Sequence, residues 1–174
     1  MSISGKLFIG TERVSSPRSF HATDPATGAK LEPGFSVAGR EAVDRACDLA
    51  WAAFDRFRAL ESHSRARFLE MIADQILALG DELLERAHAE TGLPLARLTG
   101  ERARTIGQLR LFAEELRNGS WLGIRVDSAL PARTPLPRPD LRQRKIPLGP
   151  VVVFGASNFP LAFSVAGEIG RAHV

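Results

Sequence analysis

The sequence contains a single cysteine, Cys47, and this scarcity limits the chemistry that the chain can support. One thiol cannot form an internal disulfide framework, and it cannot supply a multi-cysteine metal site. Cys47 lies among apolar residues at three- and four-residue spacing, where cysteine commonly acts as a small hydrophobic side chain. No glycine-rich turn surrounds it. We therefore expect Cys47 to be a core residue rather than a nucleophile, and we expect no metal site.

Long apolar runs and runs of one charge are also absent from the 174 residues. No segment reaches the roughly 20 apolar residues that a membrane-spanning helix requires, and residues 1–6 carry no apolar signal-peptide region. The formal net charge is only +3, with basic residues interleaved with acidic ones. This pattern argues against a nucleic-acid partner. We expect a cytoplasmic protein with no nucleic-acid or membrane partner.

The composition that is present, 44% hydrophobic and 25% charged, is that of a globular chain. Periodic apolar residues predict four helices, over residues 40–57, from 62 or 64 to 80, 81–92 and 94–119. Ser62 or Ser64 is expected to cap the second helix and Asp81 the third. Glycine follows each of the last three because it readily adopts the left-handed backbone that ends helices. Short strands are expected at Leu7–Ile9 and Ser19–Ala22.

A proline-rich stretch, Trp121–Pro139, follows the helices. Proline interrupts both helices and central strands, so neither is expected there. Leu141–Ile146 alternates in polarity and predicts a strand. Its basic side chains are expected on a solvated or edge face; they are Arg142, Arg144 and Lys145.

The run Val151–Phe154 consists of four apolar residues, which predicts a strand buried on both faces. Gly155 allows the chain to turn after it, and Pro160 fits the first turn of a following helix. A strand, a turn and a helix, with the amide of Asn158 at the turn, are the layout of a ligand site in an α/β sheet. The alternative is an ordinary buried strand and its connection.

The sequence of this stretch resembles the segment of the aldehyde dehydrogenase superfamily that contains its oxyanion-stabilising asparagine. Asn158-Phe159-Pro160 match the Asn-Phe-Pro of that family, while Ala156 and Ser157 replace its usual Pro-Trp. The departure resembles the branch that oxidises 2-oxoglutarate semialdehyde with NAD or NADP, as does the stretch Gly100–Phe112. The resemblance extends over nearly the whole chain, from about residue 6 to residue 167.

This resemblance implies an α/β fold, namely the N-terminal portion of the aldehyde dehydrogenase fold: helices plus the first strand of a dinucleotide-binding sheet. It divides the chain into a partial cofactor-binding domain, residues 1–122 and 148–167, and part of an oligomerisation arm, residues 123–147. The implied cofactor is NAD or NADP. The implied partners are a small-molecule aldehyde and further copies of the protein in a homo-oligomer.

The resemblance also implies roles for individual residues. Asn158 matches the catalytic asparagine whose side-chain amide stabilises the oxyanion. The positions whose backbone passes the nicotinamide ribose match Phe154, Gly155, Ala156 and Ser157. The positions that line the aldehyde tunnel match Phe159, Ala162 and Ala166.

The last seven residues, 168–174, do not continue the family pattern. They can be encoded by GAGATCGGAAGAGCACACGTC, which looks like a common sequencing adapter, so we expect a non-native tail on an N-terminal fragment. The later family elements, among them a glutamate base and a nucleophilic cysteine, have no counterpart here, and the fragment itself is expected to be inactive. The alternative is a noncatalytic helical interaction module.

Overall fold

The structure, a computed structural model, describes residues 3–163. Over this range the chain forms three two-stranded antiparallel ribbons and four α-helices. The strands are β1 (Leu7–Ile9), β2 (Glu12–Val14), β3 (Ser19–Thr23), β4 (Lys30–Ser36), β5 (Arg125–Asp127) and β6 (Leu141–Gln143). The helices are α1 (Arg40–Arg58), α2 (Ser62–Ala78), α3 (Gly80–Thr91) and α4 (Leu95–Asn118), and α4 is followed by a short 3₁₀ helix at Ser120–Leu122.

The ribbons pair neighbouring strands, β1 with β2, β3 with β4 and β5 with β6. The strands predicted at the N-terminus are present, but β2 and β4 were not predicted, and neither was β5, which lies within the proline-rich stretch 121–139. β4 was not predicted because it contains Pro33 and Gly34, two residues that usually interrupt strands. The β3–β4 turn is held by Asp24, whose carboxylate accepts a hydrogen bond from the N–H of Ala26 at 2.8 Å.

The main core lies between α2 and α4. Small residues at the contact, Ala66, Ala73 and Ala113, are fully buried and let the two helices approach closely. Leu69 and Leu109 fill the space between them and are each 1% exposed. A smaller cluster joins Leu84 and Ala87 of α3 to Leu98 of α4. The long helix α4 is therefore the element on which α2 and α3 pack.

The helix ends agree with the sequence prediction, but the caps do not. Gly92 and Gly119 follow α3 and α4 with φ of 68° and 75°, as the glycine stops required. Neither α2 nor α3 has a side-chain cap hydrogen bond, so the capping roles predicted for Ser62, Ser64 and Asp81 are wrong. At α3 the reason is that Leu79, which precedes it, already has helical backbone angles, so α2 runs almost directly into α3.

The predicted strand at Val151–Phe154 is not formed. Among the described residues this run makes no backbone hydrogen bond, and Val152 is 70% exposed. A strand needs a neighbouring strand, and none of the described elements supplies one. The apolar run correctly indicates side chains that favour burial. It does not indicate which element would bury them, and no element within residues 3–163 does.

The predicted strand at Leu141–Ile146 is shorter than expected. β6 ends at Gln143, and the N–H of Lys145 instead donates to the carbonyl of Leu122 at 2.9 Å. The basic side chains at 142, 144 and 145 are exposed, as predicted. The exclusion of helix from Trp121 onward was wrong at its first residues, because the prolines begin only at 131 and do not restrict the 3₁₀ turn.

Helix α1 has no buried residue, and its apolar face is open. Trp51 is 69% exposed, and Cys47 is exposed as well. The prediction that Cys47 is a core residue is therefore wrong for this structure, since no described element covers that face of α1. Cys47 and Trp51 instead line an open groove together with residues 148–152. Within residues 3–163, no helix combines the length and apolarity that crossing a membrane requires.

Candidate functional site

The predicted site residue Asn158 lies in a turn that packs against α4. We call residues 156–163 the Asn158 turn. The N–H of Phe159 donates to the carbonyl of Ala156 at 3.2 Å, and the N–H of Phe163 donates to the carbonyl of Phe159 at 3.3 Å. The second bond spans four residues, which is the spacing of an α-helical turn. The helix start predicted from Pro160 is therefore present, as far as the described residues extend.

Arg97 of α4 holds the first half of the turn. Its Nη2 donates to the backbone carbonyl of Asn158 at 2.6 Å. Its guanidinium also lies over the ring of Phe159, 4.8 Å from the ring centroid, a favourable cation–π position. Phe159 in turn packs on Phe163, with 4.6 Å between centroids. Arg97 thus contacts two consecutive residues of the turn.

Glu101 and Thr105 hold the second half of the turn through Leu161. The N–H of Leu161 faces Glu101 Oε2 at 3.4 Å, and Thr105 Oγ1 donates to the carbonyl of Leu161 at 2.8 Å. Glu101 is 6% exposed and Thr105 1%. A buried carboxylate requires partners, and Glu101 has a second one in Nε of Arg97, 3.3 Å from its Oε1.

The side chain of Asn158 is exposed, and it makes no hydrogen bond to any residue between 3 and 163. Its main chain is held by Arg97, while its side-chain amide is left unbonded by the described part of the chain. A neutral NH₂ group of this kind can donate two hydrogen bonds to a ligand oxygen that carries developing negative charge.

The residues predicted to contact cofactor precede the turn. Phe154, Gly155 and Ser157 are exposed, and Ala156 is half-buried. Of the residues predicted to contact substrate, Phe159 is half-buried beside Asn158, and Ala162 is 2% exposed, so it faces the interior. Ala166 and the predicted tail, 168–174, lie outside the described residues.

Sequence reasoning missed the three anchoring side chains of α4. Arg97, Glu101 and Thr105 recur every fourth residue, so they lie along one face of the helix. A signal was present in the sequence: polar residues at this spacing run alongside the buried apolar residues Leu98 and Leu109. The pattern could not reveal the partner, because Asn158 lies 61 residues from Arg97 in the chain.

The chain has a mixed helix and strand fold. Its Asn158 turn is held by α4 and exposes a neutral hydrogen-bond donor, the side-chain amide of Asn158. The sequence matches the aldehyde dehydrogenase family over residues 12–172, nearly its whole length, and the chain belongs to that family. The resemblance inferred from the Asn-Phe-Pro block is thereby confirmed, as is the fold class.

The chain is also similar to particular members of the family. The chain is 60% identical over 169 residues to alpha-ketoglutaric semialdehyde dehydrogenase 2 of Azospirillum brasilense, covering 96% of this chain and 32% of that protein. It is 53% identical over 167 residues to alpha-ketoglutaric semialdehyde dehydrogenase of Acinetobacter baylyi, covering 94% and 31%. Among solved structures, an NADP-dependent enzyme of E. coli superposes with a TM-score of 0.83 at 25% identity, over 97% of this chain and 34% of that one. The chain thus spans about a third of the length of these proteins.

Proposed function

We propose that this chain is the N-terminal part of an NAD- or NADP-dependent aldehyde dehydrogenase that oxidises 2-oxoglutarate semialdehyde to the carboxylate. The substrate assignment is supported by 60% and 53% identity to two alpha-ketoglutaric semialdehyde dehydrogenases, since alpha-ketoglutarate is another name for 2-oxoglutarate. The observation that carries the catalytic part is the free amide of Asn158 on an anchored main chain.

The role of Asn158 is to stabilise charge. When a nucleophile adds to the aldehyde carbon, the carbonyl oxygen becomes an oxyanion, and the Asn158 NH₂ group donates a hydrogen bond to it. Because the charge develops only in the transition state, such a donor lowers the barrier rather than tightening substrate binding. Removal of one such donor typically lowers the rate by about 100- to 1,000-fold. Cys47 is not proposed as the nucleophile, because it lies within helix α1 and no glycine-rich turn or motif that matches the nucleophile of the family surrounds it.

The residues present are compatible with a nicotinamide cofactor. Side chains at 155–157 are small, and Phe154, Gly155 and Ser157 form no hydrogen bond with another described residue, so a ligand can approach their main chain. In this proposal residues 154–157 hold the nicotinamide ribose. The cofactor, when bound, accepts the hydride released on oxidation of the substrate. Residues 1–122 and 148–167 form the corresponding part of the cofactor-binding domain.

Residues 123–147, which contain the β5–β6 ribbon, are proposed as part of an oligomerisation arm. Their large apolar side chains are exposed, among them Val126, Leu136 and Leu141. Exposed apolar residues on a narrow ribbon are suited to pairing with further copies of the protein. The proposed assembly is a homo-oligomer.

A chimera tests the proposal. Residues 1–163 replace the corresponding third of the Azospirillum brasilense enzyme, and reduced nicotinamide formation is measured with 2-oxoglutarate semialdehyde. The chimera is expected to turn over, and Asn158→Ala is expected to lower kcat by about 100- to 1,000-fold. The matched control is Asn118→Ala, which changes the other asparagine of the chain, at the exposed end of α4.

The complete 174-residue chain alone is expected to form no reduced nicotinamide, since one amide donor performs no oxidation. In the chimera, Cys47→Ala is expected to leave kcat unchanged. A folded but inactive chimera, or equal losses from Asn158→Ala and Asn118→Ala, would contradict the proposal. The first result would favour a noncatalytic interaction module, a role that the open apolar face of α1 would also suit.

A further inference from the structure

We propose that Arg97, Glu101 and Thr105 of α4 are positioning residues that fix the main chain of the Asn158 turn and thereby aim the Asn158 amide at the oxyanion. This inference rests on the proposed function. The three side chains lie on one face of α4 at successive four-residue intervals, and each meets a different backbone group of the turn.

The contacts hold the turn at both ends of a short span. Arg97 binds the carbonyl of Asn158, Glu101 faces the N–H of Leu161, and Thr105 binds the carbonyl of Leu161. All three therefore use backbone groups and leave the Asn158 side chain available. Rigid supporting contacts of this kind are what a preorganised catalytic donor requires.

The chemistry of the anchors is more specific than core packing needs. Glu101 and Thr105 place a carboxylate and a hydroxyl in the interior, at 6% and 1% exposure, where apolar side chains of similar size would fill the space without a desolvation penalty. Glu101 is paired with the turn and with Arg97. The Thr105 hydroxyl lies 2.8 Å from the carbonyl of Leu161 in the turn and 3.0 Å from the carbonyl of Glu101 in α4, and neither side chain bonds to α2 or α3. Their placement suits the fixing of the turn better than the packing of helices.

Arg97 makes three contacts that a lysine could not combine. Its Nη2 reaches the Asn158 carbonyl, its Nε faces Glu101, and its planar guanidinium lies on the Phe159 ring. A lysine ammonium is a compact charge without a planar face. Arg97 therefore links the donor residue to the neighbouring ring that is proposed to line the aldehyde path.

The expected consequence is a loss in kcat rather than in KM. The donor acts on charge that exists only in the transition state, so misplacing it weakens transition-state stabilisation and leaves substrate binding nearly unchanged. A displacement of about 1 Å in a catalytic group can lower the rate by up to about 100-fold. We expect Thr105→Val and Arg97→Lys to lower kcat on the order of tenfold or more.

The decisive variant is Thr105→Val in the chimera, because valine keeps the shape of threonine and removes only the hydroxyl. Thr105→Ser restores the donor and is expected to recover most of the lost kcat. The matched control is Thr99→Val on the same helix. The hydroxyl of Thr99 donates to the carbonyl of Leu95 four residues earlier, as Thr105 does to that of Glu101, but to no group of the described part of the turn. This control variant is expected to leave kcat unchanged.

A second measurement separates this inference from the proposed function. In the complete 174-residue chain, hydrogen exchange of the Leu161 amide is expected to accelerate in Glu101→Leu, whereas Glu101→Gln, which keeps an acceptor, is expected to remain close to the parent. An inactive parent chimera would overturn the proposed function and the catalytic consequence with it, while the exchange data would still decide whether α4 fixes the turn.

The inference is overturned by an unchanged kcat in Thr105→Val, by equal losses in Thr105→Val and Thr99→Val, or by equal Leu161 exchange in the parent and Glu101→Leu. A purely structural role would lower the melting temperature of Thr105→Val without a selective loss of kcat. That outcome also counts against positioning.

Discussion

Helices α1 and α2 are both amphipathic, yet they end in opposite environments. The apolar face of α2 packs on α4, where Leu69 and Leu109 are almost completely buried. The apolar face of α1 is open, with Trp51 and Val43 at the surface beside residues 148–152. The difference shows that an apolar stripe specifies a face that needs cover and says nothing about where the cover comes from.

The comparison also separates two kinds of stability. The α2–α4 pair is built from contacts that residues 62–118 supply themselves. The apolar face of α1 and the apolar run Val151–Phe154 are not covered by any described element. Local contacts of the first kind form readily. We therefore expect the chain to be helical in solution while remaining adhesive at the α1 face.

The largest expected effect is in the α2–α4 core. Leu109→Ala removes a buried side chain and is expected to lower the free energy of unfolding by about 2–5 kcal/mol. Trp51→Ala on α1 is expected to change it by less than about 0.5 kcal/mol, because an exposed side chain loses little on truncation. Urea titration of the helical circular dichroism signal of the 174-residue chain measures both changes for the unfolding of the α2–α4 pair, the unit whose contacts the chain supplies itself. Similar losses in the two variants would show that α1 is covered in solution.

A smaller effect is expected on the stickiness of the α1 face. The 174-residue chain is expected to bind a hydrophobic dye and to lack a sharp melt, because exposed apolar groups and unpaired backbone favour association. Replacing Trp51→Gln together with Val152→Thr should lower dye fluorescence more than Leu136→Gln, a control at a similarly exposed but separate site on the arm. A monodisperse monomer with one steep thermal transition would contradict the expectation.

The smallest expected effect concerns the ion pair that joins the outer edges of α2 and α4. Arg117 donates to both carboxylate oxygens of Glu70, at 2.6 and 2.7 Å, and this hydrogen bonding holds the pKa of Glu70 below its ordinary value. A carboxylate with a depressed pKa contributes stability above its unfolded pKa, and that contribution is lost as the pH falls through its folded pKa.

Arg117→Gln should therefore lower the urea midpoint slightly near neutral pH. The difference from the parent should begin to shrink as the pH falls below about 4, near the ordinary pKa of glutamate, and should disappear below the lower pKa that Glu70 has in the folded chain. The effect is small because the pair is exposed and screened by solvent. Arg67→Gln serves as the control, because among residues 3–163 Arg67 bonds only to Ser64 of its own helix. A difference that persists unchanged in acid would exclude the ion pair as its cause.

A feature could be predicted from the sequence when it depends on adjacent residues, and could not when it depends on residues far away in the chain. The helix stops at Gly92 and Gly119 were predictable because backbone freedom is a local property. The burial of Cys47 was not, because it depends on surface that no described element provides. The run Val151–Phe154 failed as a strand for the same reason: hydrogen bonds between strands are made with a distant partner.

The candidate site divides in the same way. The turn and the donor at Asn158 were predictable, because they depend on a few adjacent residues and the Asn-Phe-Pro motif resembles that of the family. The anchors on α4 could not be recognised, although the stretch Gly100–Phe112 had already stood out by its resemblance. Their function becomes visible only when Thr105 and Leu161, 56 residues apart, are brought together.

The exposure of Cys47 has a practical consequence. It is the only thiol of the chain, and it lies in the groove with Trp51 and residues 148–152. A maleimide fluorophore would therefore attach at one known position without any engineered change, and its emission would respond to the polarity of that groove. Titrating the labelled chain with the remaining two thirds of a related enzyme would then report the association of the two parts as a change in fluorescence.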